Sequence, residues 1–305
     1  MKKKSQLLAV LAVGLLAGPI TAQAQYDFQE IAYPGRTQTQ VFGINDSGDV
    51  VANSFVPDTF PFVYASMDGA LTDIAPADGY LETSVLGIND AGVMVGSVSN
   101  LDGTRSGFIR SKDGTYTVFS HPDALSFTNP RAVNNKGLVT GFRDVLDGTR
   151  VGFIYDPKRE TFTDIVPSLF TIAQGISSKG DVVGSAIFDV NPCGGNSLDR
   201  FGWVRARDGS VTFFQVNGQR TSARGINDAG MIVGFATDRS TGQTTGFVIK
   251  APETNCELVA VDASELLQFP ESIDTLPQDI TNSGDVVGQF FDSLGNTRGF
   301  IATPQ

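Results

Sequence analysis

The sequence predicts an all-β protein, a six-bladed β-propeller of four-stranded blades whose ring is closed by the N-terminal strand. Three observations lead to this prediction. A segment of the form G-I-N-D-x-G-x-V-V-G recurs six times, each copy is followed by an aromatic signature, and the two chain ends complement each other. The composition agrees, because 34 Gly, 14 Pro and 22 Phe are typical of a chain of short strands and turns.

The six copies are spaced like propeller blades. They begin near residues 43, 87, 132, 175, 225 and 279, and a period of this size is typical of a four-stranded blade. After each copy comes a second signature, a small residue followed by an aromatic one. Its members are Pro61-Phe62, Gly107-Phe108, Gly152-Phe153, Gly202-Trp203, Gly246-Phe247 and Gly299-Phe300. We expect the aromatic rings to pack each blade against its neighbour.

Each copy contains a predicted tight turn. Asn or Asp bonds to the nearby backbone, and a glycine takes the positive φ that the turn requires. These structural turn glycines are Gly48, Gly92, Gly137, Gly180, Gly230 and Gly284. A calcium loop would need a distal bidentate Glu, and the turns have none, while Lys179 lies inside one of them. Turn geometry therefore explains the motif, and no metal is expected.

The chain ends predict how the ring closes. The sixth copy stops after its third strand, whereas the segment YDFQEIAYPG from Tyr26 has the pattern of a fourth strand. Such a strand would close the ring and leave no open sheet edge. An insertion from Asp262 precedes the sixth copy, and Ser264 there predicts the start of a short helix that runs to Phe269 and ends at Pro270.

Residues 1–24 predict a cleaved export signal. Three lysines precede an apolar run of about 12 residues, and Ala22-Gln23-Ala24 suits cleavage. The run is shorter than the roughly 18 residues that cross a bilayer. We therefore expect residues 25–305 to form one propeller domain, secreted or periplasmic, without a membrane anchor after cleavage.

The two repeated signatures resemble those of the HAF-repeat family of secreted bacterial proteins over nearly all of the mature chain. That family is named for a His-Ala-Phe tripeptide near the third strand, where these copies carry Gly-Phe, Gly-Trp or Pro-Phe. The resemblance implies export and a repeat fold, and it assigns no activity.

Charge and composition narrow the function. A net charge of −11 excludes nucleic acid as a partner, because phosphates would be repelled. The single histidine, His121, is expected at the surface and supports no catalytic triad. No catalytic residue and no cofactor are predicted. The favoured function is binding or scaffolding for an anionic saccharide or a protein partner. A secreted carbohydrate-active hydrolase or lyase using carboxylates, or a structural envelope component, remain as alternatives.

Two features offer candidate sites. Cys193 and Cys256 would meet an oxidising compartment, but the predicted topology places them on opposite faces, so the sequence leaves their disulfide open. Arginine is concentrated in loops that should open on one face, where its guanidinium groups would bind anions. The ligand-binding candidates are Arg105, Arg131, Arg150, Arg200, Arg224 and Arg298, with Gln174 and Gln278; Arg36 holds a position equivalent to those of Arg131 and Arg224. Pairing with acids in the same loops, such as Asp102, Asp199 and Asp292, is the alternative.

Overall fold

The structure is a computed structural model that describes residues 26–55, 58–165, 170–188, 193–194, 199–260 and 265–305. The predicted export signal and Ser264 lie outside the described residues. Over the described residues the chain is almost entirely β-strand and turn, with one 3-10 turn at Leu146–Gly148. These residues contain no helix that is long and apolar enough to cross a membrane.

Each of the six repeat units contributes three antiparallel strands in sequence order. The first strands are β2 (Gln38–Ile44), β6 (Glu82–Ile88), β10 (Thr128–Val133), β14 (Phe170–Ile176), β18 (Arg220–Ile226) and β23 (Asp274–Ile280). The second strands are β3 (Asp49–Phe55), β7 (Met94–Ser99), β11 (Val139–Asp144), β15 (Val182–Ile187), β19 (Met231–Thr237) and β24 (Val286–Phe291). The third strands are β4 (Phe60–Ala65), β8 (Arg105–Arg110), β12 (Arg150–Asp156), β16 (Arg200–Arg205), β20 (Thr244–Lys250) and β25 (Thr297–Pro304).

A fourth, outer strand completes each unit. These strands are β5 (Leu71–Asp73), β9 (Tyr116–Phe119), β13 (Thr161–Ile165), β17 (Val211–Val216), β22 (Leu266–Leu267) and β1 (Tyr26–Ile31). The last of them, β1, pairs antiparallel with β25, so that Tyr26 faces Pro304. The first and last described segments of the chain therefore share one sheet, as the sequence predicts.

The first strands line a central channel. Each contacts the first strand of the next unit, and β23 contacts β2, so the series closes on itself. The all-β propeller class is confirmed. We call the face with the turns between first and second strands the lower face. The opposite face, with the loops between second and third strands and the links between units, is the upper face.

The sheets are not all separate. Four sheets have four strands, but the fifth has nine, because β12 and β14 are joined by a single parallel bridge between Arg150 and Phe170. The strand β21 (Glu257–Val259) adds to the same sheet, parallel to β17.

The insertion differs from its prediction. Instead of a helix reaching Phe269, Leu266–Leu267 forms β22, which pairs with β20 and serves as the outer strand of the fifth unit. Leu267 is fully buried. Burial of this leucine pair against β20 therefore overrides the local helix signal in the described part of the insertion.

The recurrent aromatic rings pack between neighbouring units, as predicted. All six rings, from Phe62 to Phe300, are fully buried. Phe153 of the third unit packs with Val95 of the second, and Phe247 of the fifth packs with Val183 of the fourth. The core is therefore a series of apolar layers between adjacent sheets.

The asparagine of the repeat joins units as well as shaping its own turn. In Asn89 the side-chain oxygen accepts from the Ala91 and Val93 amides at 3.1 and 3.0 Å. Its Nδ2 donates at 3.0 Å to the carbonyl of Asn134 in the next unit. Asn45, Asn134 and Asn227 make the same donation. All six turn glycines have positive φ, between 74° and 98°, as predicted.

We predict that Phe153→Ala lowers the free energy of unfolding by about 3–5 kcal/mol, because it leaves a cavity between two units. Urea unfolding of residues 25–305 measures the change. Leu101→Ala is the matched control, since this leucine is 79% exposed. An unfolding curve for Phe153→Ala that overlays the control would contradict the role in packing.

We predict that Asn89→Asp destabilises the fold by about 1–3 kcal/mol, because a carboxylate keeps the turn acceptor but cannot donate to the buried Asn134 carbonyl. Thermal unfolding near pH 7 measures the loss. Gln243→Glu, an amide-to-carboxylate change at an exposed position, controls for the added charge. Equal effects of the two variants would show that the donation between units contributes nothing.

Candidate functional site

Every first strand carries a β-bulge at the same place. The register shifts by one residue between Pro130 and Ala132, for example, and at the equivalent point of the other five first strands. A bulge leaves one residue unpaired and redirects its side chain. Here the unpaired residue is the one directly before the repeat's first position, as Arg131 is before Ala132.

The six bulge residues meet in the channel. They line one small space of about 10 Å³, which is close to the room needed by one water-sized group. We call this ring of six side chains the constriction. Its members, in unit order, are Phe42, Leu86, Arg131, Gln174, Arg224 and Gln278.

Glycine allows the first strands to converge around the constriction. A Cβ on Gly87 would lie 2.8 Å from the Arg131 carbonyl oxygen, and one on Gly175 would lie 2.5 Å from that of Arg224. Both distances are too short for a side chain. At these two positions the close approach of the neighbouring first strand therefore requires glycine.

The two arginines of the constriction lie on aromatic rings. The guanidinium carbon of Arg131 is 5.5 Å from the centroid of Phe142, and that of Arg224 is 4.8 Å from Phe235. These phenylalanines occupy the same register position in their second strands, where the other four units have smaller or amide side chains. Those residues are Asn53, Ser97, Ser185 and Gln289. Arginine in the channel thus coincides with a stacking ring beneath it.

The arginines lack carboxylate partners. Among the described residues neither Arg131 nor Arg224 forms an ion pair, and the Nε of each is buried without a hydrogen-bond partner. Burial lowers the pKa of Arg131 to about 10, with a further contribution from Arg150. Burial lowers the pKa of Arg224 to about 9, and the charges of Arg131 and Arg200 add to this. Both groups stay protonated at neutral pH, so the channel holds uncompensated positive charge.

Other predicted arginines divide into two groups. Arg150 and Arg200, at the upper ends of β12 and β16, also form no ion pair with a described carboxylate, and burial lowers the pKa of each. Arg150 stacks on Phe142 at 4.7 Å. Arg105 lies 3.5 Å from Glu82, and Arg298 lies 3.7 Å from Glu30 and 3.8 Å from Asp292. Arg105 and Arg298 therefore pair with acids and do not line the constriction.

The structure corrects the predicted set of positions. Arg131, Gln174, Arg224 and Gln278 belong to bulges within the first strands, not to the links between units. Arg36 lies before β2, where it donates to the Asp58 carbonyl at 3.0 Å and stacks on Phe60. Phe42 and Leu86 were missed. Aligning the residue before each repeat would have identified them, because all six constriction residues hold that place.

Two acids of the upper face, Asp144 and Asp199, are already engaged. Burial alone would raise the pKa of Asp144, but hydrogen bonds from Phe127 and Ser126 outweigh it and lower that pKa. Asp199 is similar, since bonds from Gln215 and Arg239 overcome burial and lower its pKa. Neither carboxyl is suited to donate a proton at neutral pH.

A half-buried acid lies at the lower end of the channel. Asp279 stands where four other units have glycine, and its Oδ2 and Oδ1 accept from the Ile44 amide at 3.2 Å and from the Ile280 amide at 2.9 Å. Burial raises the pKa of Asp279 to about 7, with a smaller contribution from Asp46. Asp46, Asp90 and Asp228 surround the same mouth of the channel, so the channel is acidic below and cationic at the constriction.

His121 is buried, contrary to the predicted surface position. Its Nδ1 accepts from the Asp123 amide at 3.1 Å, and its Nε2 lies 3.1 Å from one carboxylate oxygen of Asp164. The other oxygen of that carboxylate pairs with Arg143. Burial lowers the pKa of His121, which Asp164 only partly offsets. His121, Asp123 and Asp164 lie close enough to hold a metal. The imidazole also packs against Phe162, with ring centroids 4.4 Å apart.

Cys193 and Cys256 are joined by a disulfide, with Cα atoms 5.3 Å apart. The chain after β20 crosses to the neighbouring sheet, where the Cys256 amide donates to the Phe213 carbonyl at 2.8 Å. This crossing brings Cys256 to the fourth unit, whose upper loop carries Cys193. The predicted separation of the two cysteines failed because β21 was not anticipated.

We predict that Asp279 makes stability depend on pH. Between about pH 4 and pH 7 the folded state keeps a proton that the unfolded state releases, so the free energy of unfolding falls as pH rises. Relative to wild type, Asp279→Asn should gain roughly 2–3 kcal/mol between pH 5 and pH 8. Urea unfolding at both pH values measures this. Asp279→Gly, which restores the residue of four other units, should change the pH dependence of stability in the same way. If both variants kept the wild-type pH profile, Asp279 would not be the source of that dependence.

Solved structures confirm the fold. A luciferin-regenerating enzyme is 12% identical, with 91% of this chain and 95% of that chain covered at a TM-score of 0.57. TolB from Acinetobacter baumannii is 11% identical, with 88% and 55% covered at 0.53. A catalytically inactive virginiamycin B lyase from Staphylococcus aureus, solved with quinupristin, is 12% identical, with 91% and 99% covered at 0.51. At these identities the likeness concerns the fold alone.

No curated protein matches the chain. A family model does match it, over residues 4–264, and that model describes proteins of unknown function under the designation DUF3466. Since the match covers well over half of the sequence, the chain belongs to the DUF3466 family.

Proposed function

We propose that this protein is an exported binding module that holds an anion in its central channel between Arg131 and Arg224. The observation that carries the proposal is the pair of enclosed guanidinium groups without a carboxylate partner among the described residues. An unpaired buried charge is costly. A bound anion would supply the missing counter-charge, and the planar guanidinium suits carboxylate, sulfate or phosphate.

The electric field of the channel supports approach from the upper face. Asp46, Asp90 and Asp228 at the lower mouth repel an anion, whereas Arg150 and Arg200 begin their strands on the upper side. A patch of one charge sign attracts oppositely charged ligands. The local field therefore draws an anion toward the arginines even though the whole chain carries a net charge of −11.

Binding is better supported than catalysis. A glycosidase needs one carboxylic acid that stays protonated and a second carboxylate across the substrate. On the upper face Asp144 and Asp199 have lowered pKa values and are held by hydrogen bonds. The carbohydrate-active alternative lacks a suitable acid at these positions, and the enzymes among the similar structures bring no activity to this chain.

The architecture that we propose for this module is a six-bladed propeller. The nine-stranded sheet divides naturally into two blades at the single bridge between Arg150 and Phe170. Each resulting blade contains one copy of the repeat. The HAF-type repeat signature, the export pattern of residues 1–24 and the Cys193–Cys256 disulfide together support a site of action in the periplasm or outside the cell.

The proposal is tested with sulfate, phosphate and acetate as probes, using isothermal titration calorimetry and thermal unfolding of residues 25–305. At a hundred times its dissociation constant a ligand adds about 2.7 kcal/mol of stability. We predict that at least one anion binds and that Arg131→Gln with Arg224→Gln abolishes the response. Without ligand, this double variant should unfold at the same or a higher temperature, because it removes two half-buried like charges that have no carboxylate partner among the described residues.

Arg159→Gln is the control for charge removal, since Arg159 is exposed and pairs with Asp156 on the lower face. It should bind anions as wild type does. A wild-type protein that responds to none of the three anions, or a double variant that responds fully, would overturn the proposal.

A further inference from the structure

The constriction has two chemically different sides. Phe42 and Leu86, from adjacent units, form an apolar side, whereas Arg131, Gln174, Arg224 and Gln278 form a polar one. Leu86 is only 7% exposed. The two arginines flank Gln174 in the ring. They are close enough for the charge of Arg131 to lower the pKa of Arg224. An anion held by the arginines therefore has an apolar side facing it across the channel.

The upper face is divided in the same way. Of the eight exposed large apolar side chains among the described residues, six lie in its loops and links. They are Leu81, Leu101, Leu125, Leu146, Ile273 and Leu294. Their loops belong to an arc that runs from the sixth unit through the first and second to the third. Four arginines begin strands on this face. Arg105, in the second unit, and Arg220, in the fifth, pair with Glu82 and Asp199. Arg150 and Arg200, which form no ion pair with a described carboxylate, lie in the third and fourth units.

An amphiphilic surface of this kind matches an amphiphilic ligand. We call the six exposed apolar side chains of the upper face the apolar arc. A strongly hydrated inorganic anion would gain no binding free energy from contact with Phe42, Leu86 or the apolar arc. A saccharide would place hydroxyl groups against side chains that cannot hydrogen-bond them. A hydrocarbon or aromatic body would instead bury apolar surface there, while its charged end meets the arginines.

We propose that the ligand is a small amphiphilic carboxylate, with its carboxylate between Arg131 and Arg224 and its apolar body against Phe42 and Leu86. This inference rests on the proposed anion site and specifies the class of ligand for it. The space at the constriction, about 10 Å³, admits only the end group. The body of the ligand extends toward the apolar arc of the upper face.

The test compares four probes by isothermal titration calorimetry: acetate, octanoate, octan-1-ol and glucuronate. Octanoate should bind at least tenfold more tightly than acetate, because burying about two methylene groups already supplies roughly a factor of ten. Octan-1-ol has the chain without the charge and should bind more weakly than octanoate. Glucuronate, an anionic sugar, should bind no better than acetate.

Two double variants locate the ends of the ligand. Phe42→Gln with Leu86→Gln makes all six constriction residues polar, and glutamine already occupies this position in the fourth and sixth units. It should keep the affinity for acetate and lose the advantage of octanoate. Arg131→Gln with Arg224→Gln should lose both anions. Thermal unfolding of each variant shows that it folds.

The outcomes separate this inference from the proposed function. Acetate binding that depends on the arginines, with no advantage for octanoate, overturns the amphiphile and leaves the anion site. An octanoate advantage that survives in Phe42→Gln with Leu86→Gln also overturns it, as does tighter binding of glucuronate. If no probe binds, both the anion site and the amphiphilic ligand are overturned. If octan-1-ol binds as tightly as octanoate, the arginines do not contribute to binding and the amphiphilic carboxylate is overturned.

Discussion

The close approach of the first strands around the channel is the constraint on which the rest of this structure depends. Gly87 and Gly175 lie so near the neighbouring strand that a Cβ would collide with its backbone. At the lower ends of the strands, asparagines such as Asn89 hold the units together by donating to the next unit's carbonyl. Aspartate could shape the same turn but could not donate, which explains why the repeat favours asparagine at this place. The motif is therefore a device for assembling units around an axis.

The same constraint sets where chemistry can occur. The bulge residue is free of the ladder, so it can be Phe42 in one unit and Arg131 in another without disturbing the strand. What changes with it is the residue beside it in the second strand, since Arg131 stacks on Phe142. The six constriction residues vary for this reason, while the glycine beside them is retained in four units and replaced by Ala132 and Asp279 in the other two.

The sequence predicted what repetition makes visible. The strand order within a unit, the turn glycines, the buried aromatic rings and the N-terminal strand in the last sheet could all be inferred, because each appears several times or completes a pattern. The prediction failed where a feature occurs once. The strand at Leu266–Leu267, the crossing of β21 to the neighbouring sheet and the burial of His121 depend on contacts between distant segments. Local sequence does not encode such contacts.

The candidate site falls between these cases. Arg131 and Arg224 were recognised by residue type, whereas Phe42 and Leu86 were overlooked because an apolar residue in a first strand looks like ordinary core. Position is the more informative guide here, since the bulge, not the residue type, decides which side chains reach the axis. The separation of charge along the channel follows from the same geometry. Turn acids such as Asp46 and Asp90 gather at the lower mouth, and the bulge arginines lie above them. The repeat thereby produces a channel whose electrostatic potential changes sign along its axis. An anion that enters from the upper face is attracted by the arginines before the acids of the lower mouth repel it.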